Sequence, residues 1–197
     1  MLPTQYKLTD KHYVAFSGGV DSVAAAHRLN RYLDIELIFV HHVTENSEKA
    51  FQETVIPFSI KYDIPLHVHH ITNIPDKSDS LENFWRSERY DVFHKYSCPV
   101  ITCHHLDDCV ETWVWSSMHG NGKIIPYENK NVIRPFRPIR KQKFIDYAVK
   151  YGLTWTEDDS NNDTKFIRNY IRHDMMEHVL KVNPGIHKTI RKKVLDT

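Results

Sequence analysis

Cysteine is scarce in this chain of 197 residues. Cys98, Cys103 and Cys109 are the three present, and no two form a C-x-x-C pair. That count and spacing argue against a disulfide framework, a four-cysteine zinc site or an iron–sulfur cluster, and point to a reducing, cytoplasmic setting. No apolar run approaches the roughly 18 residues of a membrane span, and the N-terminal MLPTQYKLTDKHY has no apolar signal stretch. Glycine is limited to six residues. With 41% hydrophobic and 26% charged residues, neither a fibrous repeat nor a disordered chain is expected. A soluble chain of this length buries roughly 70% of its unfolded surface, enough for one core.

Net charge is also small, +1, but it is unevenly spread. Residues 1–129 carry 11 Lys/Arg against 17 Asp/Glu, and residues 130–197 carry 15 against 8. A basic final third suggests a polyanionic partner. Lysines at helix C-termini on a solvated surface give the same count.

What is present is an alternation of strand and helix signals. HYVAFSG (12–18) reads as a short buried strand, and Val23, Ala26, Leu29 and Leu33 then mark a helix face. IELIFVHH (35–42) has strand length. Phe51, Val55, Phe58 and Tyr62 give a second helix, and LHVHHI after Pro65 a third strand. A Ser/Asp/Pro-rich loop (72–80) leads to a helix from about Leu81 to Tyr96. PVITCHH (99–105) is the fourth strand, with a helix opening near Asp107. This order predicts an α/β fold, a Rossmann-like parallel sheet flanked by helices, with ligands bound beyond the strands' C-terminal ends. Residues 120–131 read as a polar loop, and the two prolines of IRPFRPIRK exclude a central strand or helix interior there. Helices are expected at about 141–151 and from about Thr164 to Val182, stopped by Asn183-Pro184-Gly185. Residues 1–135 would form the main domain, and 136–197 a small, basic helical C-terminal extension packed on it and facing the polyanionic partner.

Ser17-Gly18-Gly19-Val20-Asp21-Ser22 falls where the first strand gives way to a helix. Two glycines permit a tight turn, and the following amides form a concave surface for phosphate oxygens. There is no Gly-Lys-Ser/Thr, so this is not a Walker-type loop, and the G-x-G-x-x-G pattern is absent. Asp21 beside a phosphate is repulsive unless a cation intervenes, which favours a magnesium-bridged nucleotide. A glycine turn with an acidic first helical turn is the plainer alternative.

CHHLDDCVETWVW places His104, His105, Asp107, Asp108 and Glu111 around the start of the helix after strand four. Asp108 and Glu111 (i, i+3), like Asp107 and Glu111 (i, i+4), share a helix face. Such a pair can bind a divalent cation or hold an ammonium group. Complementing the helix dipole explains one acid better than three. The other histidines, His41-His42 and His67/His69/His70, read as strand residues.

SGGVDS resembles the signature of the PP-loop (N-type) ATP pyrophosphatases. HHLDDCVET with HGNG (119–122), the stretch Trp85-Arg86-Ser87-Glu88-Arg89-Tyr90, and EDDSNNDTKFIRNYIRH (157–173) resemble one branch, the tRNA(Ile)-lysidine synthetases. In the last segment Glu157, Asp158, Ser160, Asn161, Asp163, Phe166, Arg168, Asn169 and Arg172 match, while Asp159 stands at a usual proline and His119 at a usual arginine. The resemblance covers roughly residues 12–185 and lacks the family's usual C-terminal tRNA-recognition region.

The resemblance implies a PP-loop ATPase fold and a carbon–nitrogen ligase. ATP would adenylate the ring carbonyl oxygen of the wobble cytidine in a tRNA(Ile) anticodon loop. Free lysine would then displace AMP. ATP and magnesium are the implied cofactors, with Ser17, Gly18, Gly19, Val20, Asp21 and Ser22 holding the nucleotide and Asp21 and Asp108 the metal. Asp21, Asp108, Glu111 and Arg86 would be catalytic, and Arg89, Arg168 and Arg172 would contact RNA. The lysine amine, with an ordinary pKa of about 10.4, needs a carboxylate or histidine to lose its proton. A PP-loop tRNA thiolation enzyme and a non-catalytic nucleotide- or RNA-binding relative are the alternatives. No membrane partner is expected, and a homodimer is an open option that would enlarge the basic surface.

Overall fold

The computed structural model describes residues 2–5, 8, 11–75, 80–157 and 167–197, apart from the side chain of Glu82. Six strands form one sheet in the order β3-β2-β1-β4-β6-β5. These are β1 (His12–Ala15), β2 (Ile35–His41), β3 (Leu66–His70), β4 (Val100–Ile101), β5 (Glu128–Asn129) and β6 (Val132–Ile133). All neighbours are parallel except β5 and β6. The chain winds outward from β1 to β3, then returns to place β4 on the other side of β1. The crevice beyond the C-terminal ends of β1 and β4 is therefore the switch point where open α/β sheets bind ligands.

The sheet order follows from apolar content. β2 is buried on both faces along nearly its whole length, as its near-continuous IELIFVH run requires of an inner parallel strand. One sheet face packs α1 (Val20–Leu29), later helices and the core around Val14, Phe16, Leu37 and Phe39. Ala24, Ala25 and Ala26 let α1 sit close to the strands. The helix at Glu45–Ala50 (α2) is capped by Thr44, whose Oγ1 accepts from the Ser47 amide at 3.2 Å. It runs through a π segment, Phe51–Val55, into α3 (Ile56–Tyr62). Pro57 lacks an N–H for the α ladder, and a π turn just upstream absorbs that loss. The opposite sheet face is covered by α4 (Leu81–Phe93), which packs Val92 and Phe93 onto Ile38, Val40, Val100 and Val132.

A second cluster joins α5 (Leu106–Met118) to α9 (Ile186–Leu195), with Leu106, Val110 and Val114 against Ile186, Ile190 and Val194. Between them in sequence lie α6 (Lys141–Lys150), α7 (Ile167–Tyr170), a second π segment (Ile171–Met175) and α8 (Met176–Val182). Phe144, Tyr147 and Ala148 of α6 belong to the main core, packed with α1. Among the described residues no helix is long and apolar enough to cross a membrane.

Three expectations need correction. The polar loop at 120–131 contains β5, which pairs antiparallel with β6, where Glu128 faces Ile133 and Asn129 faces Val132. Strand four is only Val100–Ile101 rather than 99–105: Thr102 still donates to the Ile133 carbonyl at 2.9 Å, and by His105 the chain is already capping the next helix. The basic final third is not all surface: Arg134 and Arg137 are buried. Arg134 donates to the Pro126 carbonyl at 2.9 Å and to the Tyr90 hydroxyl at 2.9 Å. Arg137 donates to the carbonyls of Ile125 (2.5 Å) and Val194 (3.2 Å) and to Gln5 Oε1 (2.9 Å).

Candidate active site

β1 ends at Ala15 and the chain turns at Gly18, which has φ +82°. A side chain there would be strained, and its Cβ would reach 3.4–3.5 Å from Ala50, Thr54 and Val55. The turn is braced from within. The Ser22 hydroxyl donates to the Gly19 carbonyl at 2.9 Å and accepts from the Ser17 amide at 3.2 Å. Ser17 Oγ accepts from the Gly19 amide at 3.3 Å. The α1 ladder begins with the Val23 amide donating to the Gly19 carbonyl. The amides of Val20, Asp21 and Ser22 therefore have no partner within the helix and point along its N-terminal axis. From outside, the Thr156 amide donates to the Gly18 carbonyl at 3.0 Å, and the Thr54 and Thr156 hydroxyls bond at 2.6 Å. The result is a pre-shaped nest for an anion of phosphate type.

Asp21 is short of partners. Among the described residues its buried Oδ1 has no hydrogen-bond partner, and its Oδ2 lies 3.7 Å from His105 Nε2, longer than a hydrogen bond. Burial pushes its carboxyl above the ordinary aspartate value, against the pull of His105 and Lys141. A carboxylate left in this condition suits a cation that would complete its shell.

His105 links this loop to the second carboxylate group. It caps α5: its backbone amide donates to Asp108 Oδ2 at 2.9 Å, and the Asp108 amide donates to His105 Nδ1 at 3.2 Å. Because Nδ1 accepts, this bonding pattern puts the ring proton on Nε2, facing Asp21. Asp108 and Glu111 are both buried and both closed by arginines. Arg168 donates to Asp108 Oδ1 at 3.0 Å and reaches Glu111 Oε2 at 3.5 Å. Arg172 clamps Glu111 through two bonds, of 2.8 and 3.0 Å, and touches Asp108 Oδ1 at 3.5 Å. Burial alone would raise the Asp108 carboxyl, but His105, Arg168, His104 and the His105 amide together hold it well below the usual range.

Asp107 does not join this group, although it shares the i, i+4 spacing with Glu111. It turns to the C-terminal helices, accepting from the Lys141 amide at 2.8 Å and from Arg140 Nε at 3.2 Å, with His187 at 3.3 Å. His104 bonds the Thr102 hydroxyl at 3.0 Å. Burial pushes it down to about 3, opposed by Asp108 and reinforced by Arg168, Arg134 and Arg86, so it is neutral near pH 7. Burial, then Asp21 and Asp108, push the Cys103 thiol well up.

The structure thus brings Ser17, Gly18, Gly19, Val20, Asp21 and Ser22 to one side of His105, and Asp108, Glu111, Arg168 and Arg172 to the other. Arg86 sits on α4, exposed, with its guanidinium 4.8 Å from the Tyr90 ring centroid. Arg89 lies on the same helix. Asp158, Asp159, Ser160, Asn161, Asp163 and Phe166 lie outside the described residues. His119 follows α5, its Nδ1 2.8 Å from the Trp115 carbonyl oxygen. Sequence reasoning missed Arg134 and Lys141. Arg134 follows β6, the neighbour of β4, while Lys141 opens α6 close enough for its charge to act on Asp21. Their position beside the strand ends was the signal, and it is visible only once β6 is paired.

Residues 3–179 match the model of the PP-loop domain family. The chain is 33% identical over 184 residues to a tRNA(Ile)-lysidine synthase of Pseudomonas putida, covering 85% of this chain and 43% of that protein. It is 31% identical to one from Nitrosomonas europaea (96% and 45%) and 27% identical to one from Vibrio parahaemolyticus (98% and 48%). The chain spans about half the length of these curated relatives. Among solved structures, the U34-tRNA thiolase NcsA of Methanococcus maripaludis with its 4Fe-4S cluster superposes with a TM-score of 0.75 at 19% identity. That match covers 96% of this chain and 73% of that one, and it shows the shared fold.

Proposed function

We propose, from the premise that this chain belongs to the PP-loop domain family, that it is an ATP-dependent tRNA-modifying ligase. The finer reading is lysidine formation at the wobble cytidine of a tRNA(Ile) anticodon loop. The tRNA(Ile)-lysidine synthases at 31–33% identity support that reading. The observation that carries it is the division of carboxylates across His105. Asp21 is open beside an anion nest, while Asp108 and Glu111 are closed by arginines.

The amides of residues 20–22 would hold the pyrophosphate portion of ATP. Asp21 offers a hard oxygen fit for magnesium, which when bound would offset phosphate charge. That ion takes one or two carboxylates alongside substrate phosphates. Asp108's oxygens are occupied by Arg168, Arg172 and the His105 amide. Its share in a cation would require those arginines to release it. The cytidine carbonyl oxygen would attack the α-phosphorus and pyrophosphate would leave. Lysine's amine would then attack the ring carbon, the C–O bond would break with AMP leaving, and the amine would give up its proton.

Asp108 and Glu111 are the acceptors we assign to that amine. An ammonium arriving there exchanges with Arg168 and Arg172. The freed guanidiniums can then take phosphate oxygens of AMP or RNA, which is bidentate work suited to arginine. Thiolation through Cys103 is disfavoured because its environment keeps the thiol protonated, and the thiolate is the nucleophile.

The test is mass spectrometry of nucleosides after incubating an unmodified tRNA(Ile) transcript with ATP, magnesium and lysine, run beside an ATP–pyrophosphate exchange assay. Lysine-bearing cytidine and RNA-dependent exchange, both lost in Asp21→Ala, are expected. Orthophosphate release, or a Glu111→Gln variant as active as the unaltered protein, would refute the assignment.

A further inference from the structure

At the pole of the sheet opposite the crevice, where α1, α3 and α6 end, lies a second surface that the chemistry above does not use. Its core is a set of rings in contact. His27 meets Tyr62 at 5.0 Å and Tyr151 at 5.2 Å, and Tyr147 meets Tyr151 at 4.5 Å. Cations lie over these rings. The Arg28 guanidinium is 3.8 Å from the Tyr32 centroid, and Arg31 is 5.3 Å from that of Tyr151 while donating to its hydroxyl at 3.0 Å. Lys61 and Lys150 stand over Tyr62 and Tyr151. Among the described residues none of these four cations is in an ion pair. Among the described residues the exposed acids adjoining these cations are Asp34, Asp63 and, one turn before Lys150, Asp146, so the four cations outnumber them. Tyr32 is 63% exposed, with a planar face held by Arg28. Beside it opens a hollow of about 180 Å³ whose walls include Leu2, Leu29 and Leu33 and whose rim carries Arg28 and Tyr32.

Helix C-termini attract cations, but that rule does not call for aromatic platforms or a hollow. Guanidiniums that form no ion pair among the described residues, set on tyrosine faces next to a largely apolar recess, are what a single-stranded segment of RNA needs. The cations meet phosphates, and a splayed base stacks on the ring. We infer that this pole is a second RNA contact, holding a backbone segment along Arg28 and Arg31 with one base on Tyr32. The inference rests on the reading that the substrate is RNA. α1 has ten residues, so the pole stands roughly 15 Å from the loop at Gly18. A folded RNA with its target base in the crevice can span that distance.

The experiment is fluorescence anisotropy with a labelled, unmodified tRNA(Ile) transcript across a salt series. Arg28→Glu with Arg31→Glu should weaken binding at least tenfold and flatten the log–log salt slope by about 1.4–1.8, two phosphate contacts' worth. Tyr32→Ala should weaken binding roughly five- to a hundredfold, as for one stacked base, with the slope unchanged. Both variants should keep the ATP-induced rise in melting temperature, which separates a lost contact from a lost fold. Tight RNA binding by the unaltered protein with both variants within twofold of it overturns this inference alone. No RNA binding by the unaltered protein overturns the functional reading along with it.

Discussion

Replacing Asp21 with asparagine removes a charge while keeping the shape of the side chain. In the unliganded protein that change should stabilise. Among the described residues the carboxylate has one buried oxygen without a partner and a second beyond hydrogen-bond reach of His105. An unsatisfied buried polar atom costs about 1–3 kcal/mol, and more when charged. A neutral amide recovers part of that. For a domain of this size each kcal/mol moves the midpoint by about 2–4 °C, so Asp21→Asn should melt roughly 2–10 °C higher at pH 7.

Magnesium–ATP should reverse the order. At a hundredfold over its dissociation constant a ligand adds about 2.7 kcal/mol to the protein that binds it, and the variant has lost the oxygen proposed to hold the cation. The assay is a thermal melt of both proteins with and without magnesium–ATP, scored for a crossing of the two pairs of midpoints. A variant less stable than the unaltered protein in the absence of ligand would refute the reasoning, since Asp21 would then be a structural anion with partners.

Gly18→Ala should cost about 1–2 kcal/mol, because the residue sits at φ +82°. Gly19→Ala, in extended backbone with only Ser17 Oγ at 3.5 Å from the new Cβ, should cost much less, and equal melting shifts would contradict this. A double-mutant cycle of Glu111→Gln and Arg172→Gln should show a coupling of about 1–3 kcal/mol by urea unfolding, since their contact is bidentate and largely buried; additivity would deny the clamp. Asp107 is held below the usual range: burial opposes this, but His187, the Lys141 amide, His105 and Arg140 outweigh it. A depressed carboxylate contributes stability that is present above its unfolded value, about 3.9, and lost as pH falls through its folded value. Stability should therefore drop more steeply below pH 4 in the unaltered protein than in Asp107→Asn, and parallel acid profiles would count against the link from α5 to α6 and α9.

The parallel sheet and the loop at 17–22 were legible because each carries its own signal. β2 is a continuous apolar run, and Val23, Ala26 and Leu29 fall on the buried face of α1 at the spacing a helix requires. β5 and β6 were not legible. Two-residue strands are too short for any period to show, and their pairing is set by the turn at Lys130, with φ 54°, and by Asn131 donating to the carbonyls of Phe93 and Tyr96. Missing β6 hid the meaning of Arg134 and Arg137, which read as surface charge and are instead buried on backbone carbonyls. Asp107 and Asp108 are adjacent in sequence and alike in chemistry. Only the positions of Arg140, His187, Arg168 and Arg172 separate a structural acid from one in the site, and those residues lie 33 to 80 positions away. The helix after Asn183-Pro184-Gly185 went unread because its Ile186, Ile190 and Val194 stripe gains its partner only when α5 is in place.

The two halves of the site differ in how they hold charge, and under the proposed function that difference would order the reaction. On the loop side no Lys or Arg is bonded to Asp21 among the described residues, so a bound ion would complete it without any bond first being broken. The helix side is already neutralised, and an amine reaching Asp108 or Glu111 must displace Arg168 or Arg172. A buried pair of this kind is costly to break by removing one partner, but exchange of one cation for another keeps the carboxylates paired throughout. Amine entry would therefore be favoured only when the departing guanidinium has an anion to receive it. Phosphate oxygens of bound nucleotide or RNA would supply that anion. The arginines would in this way hold the amine site shut until nucleotide and RNA stand in the crevice.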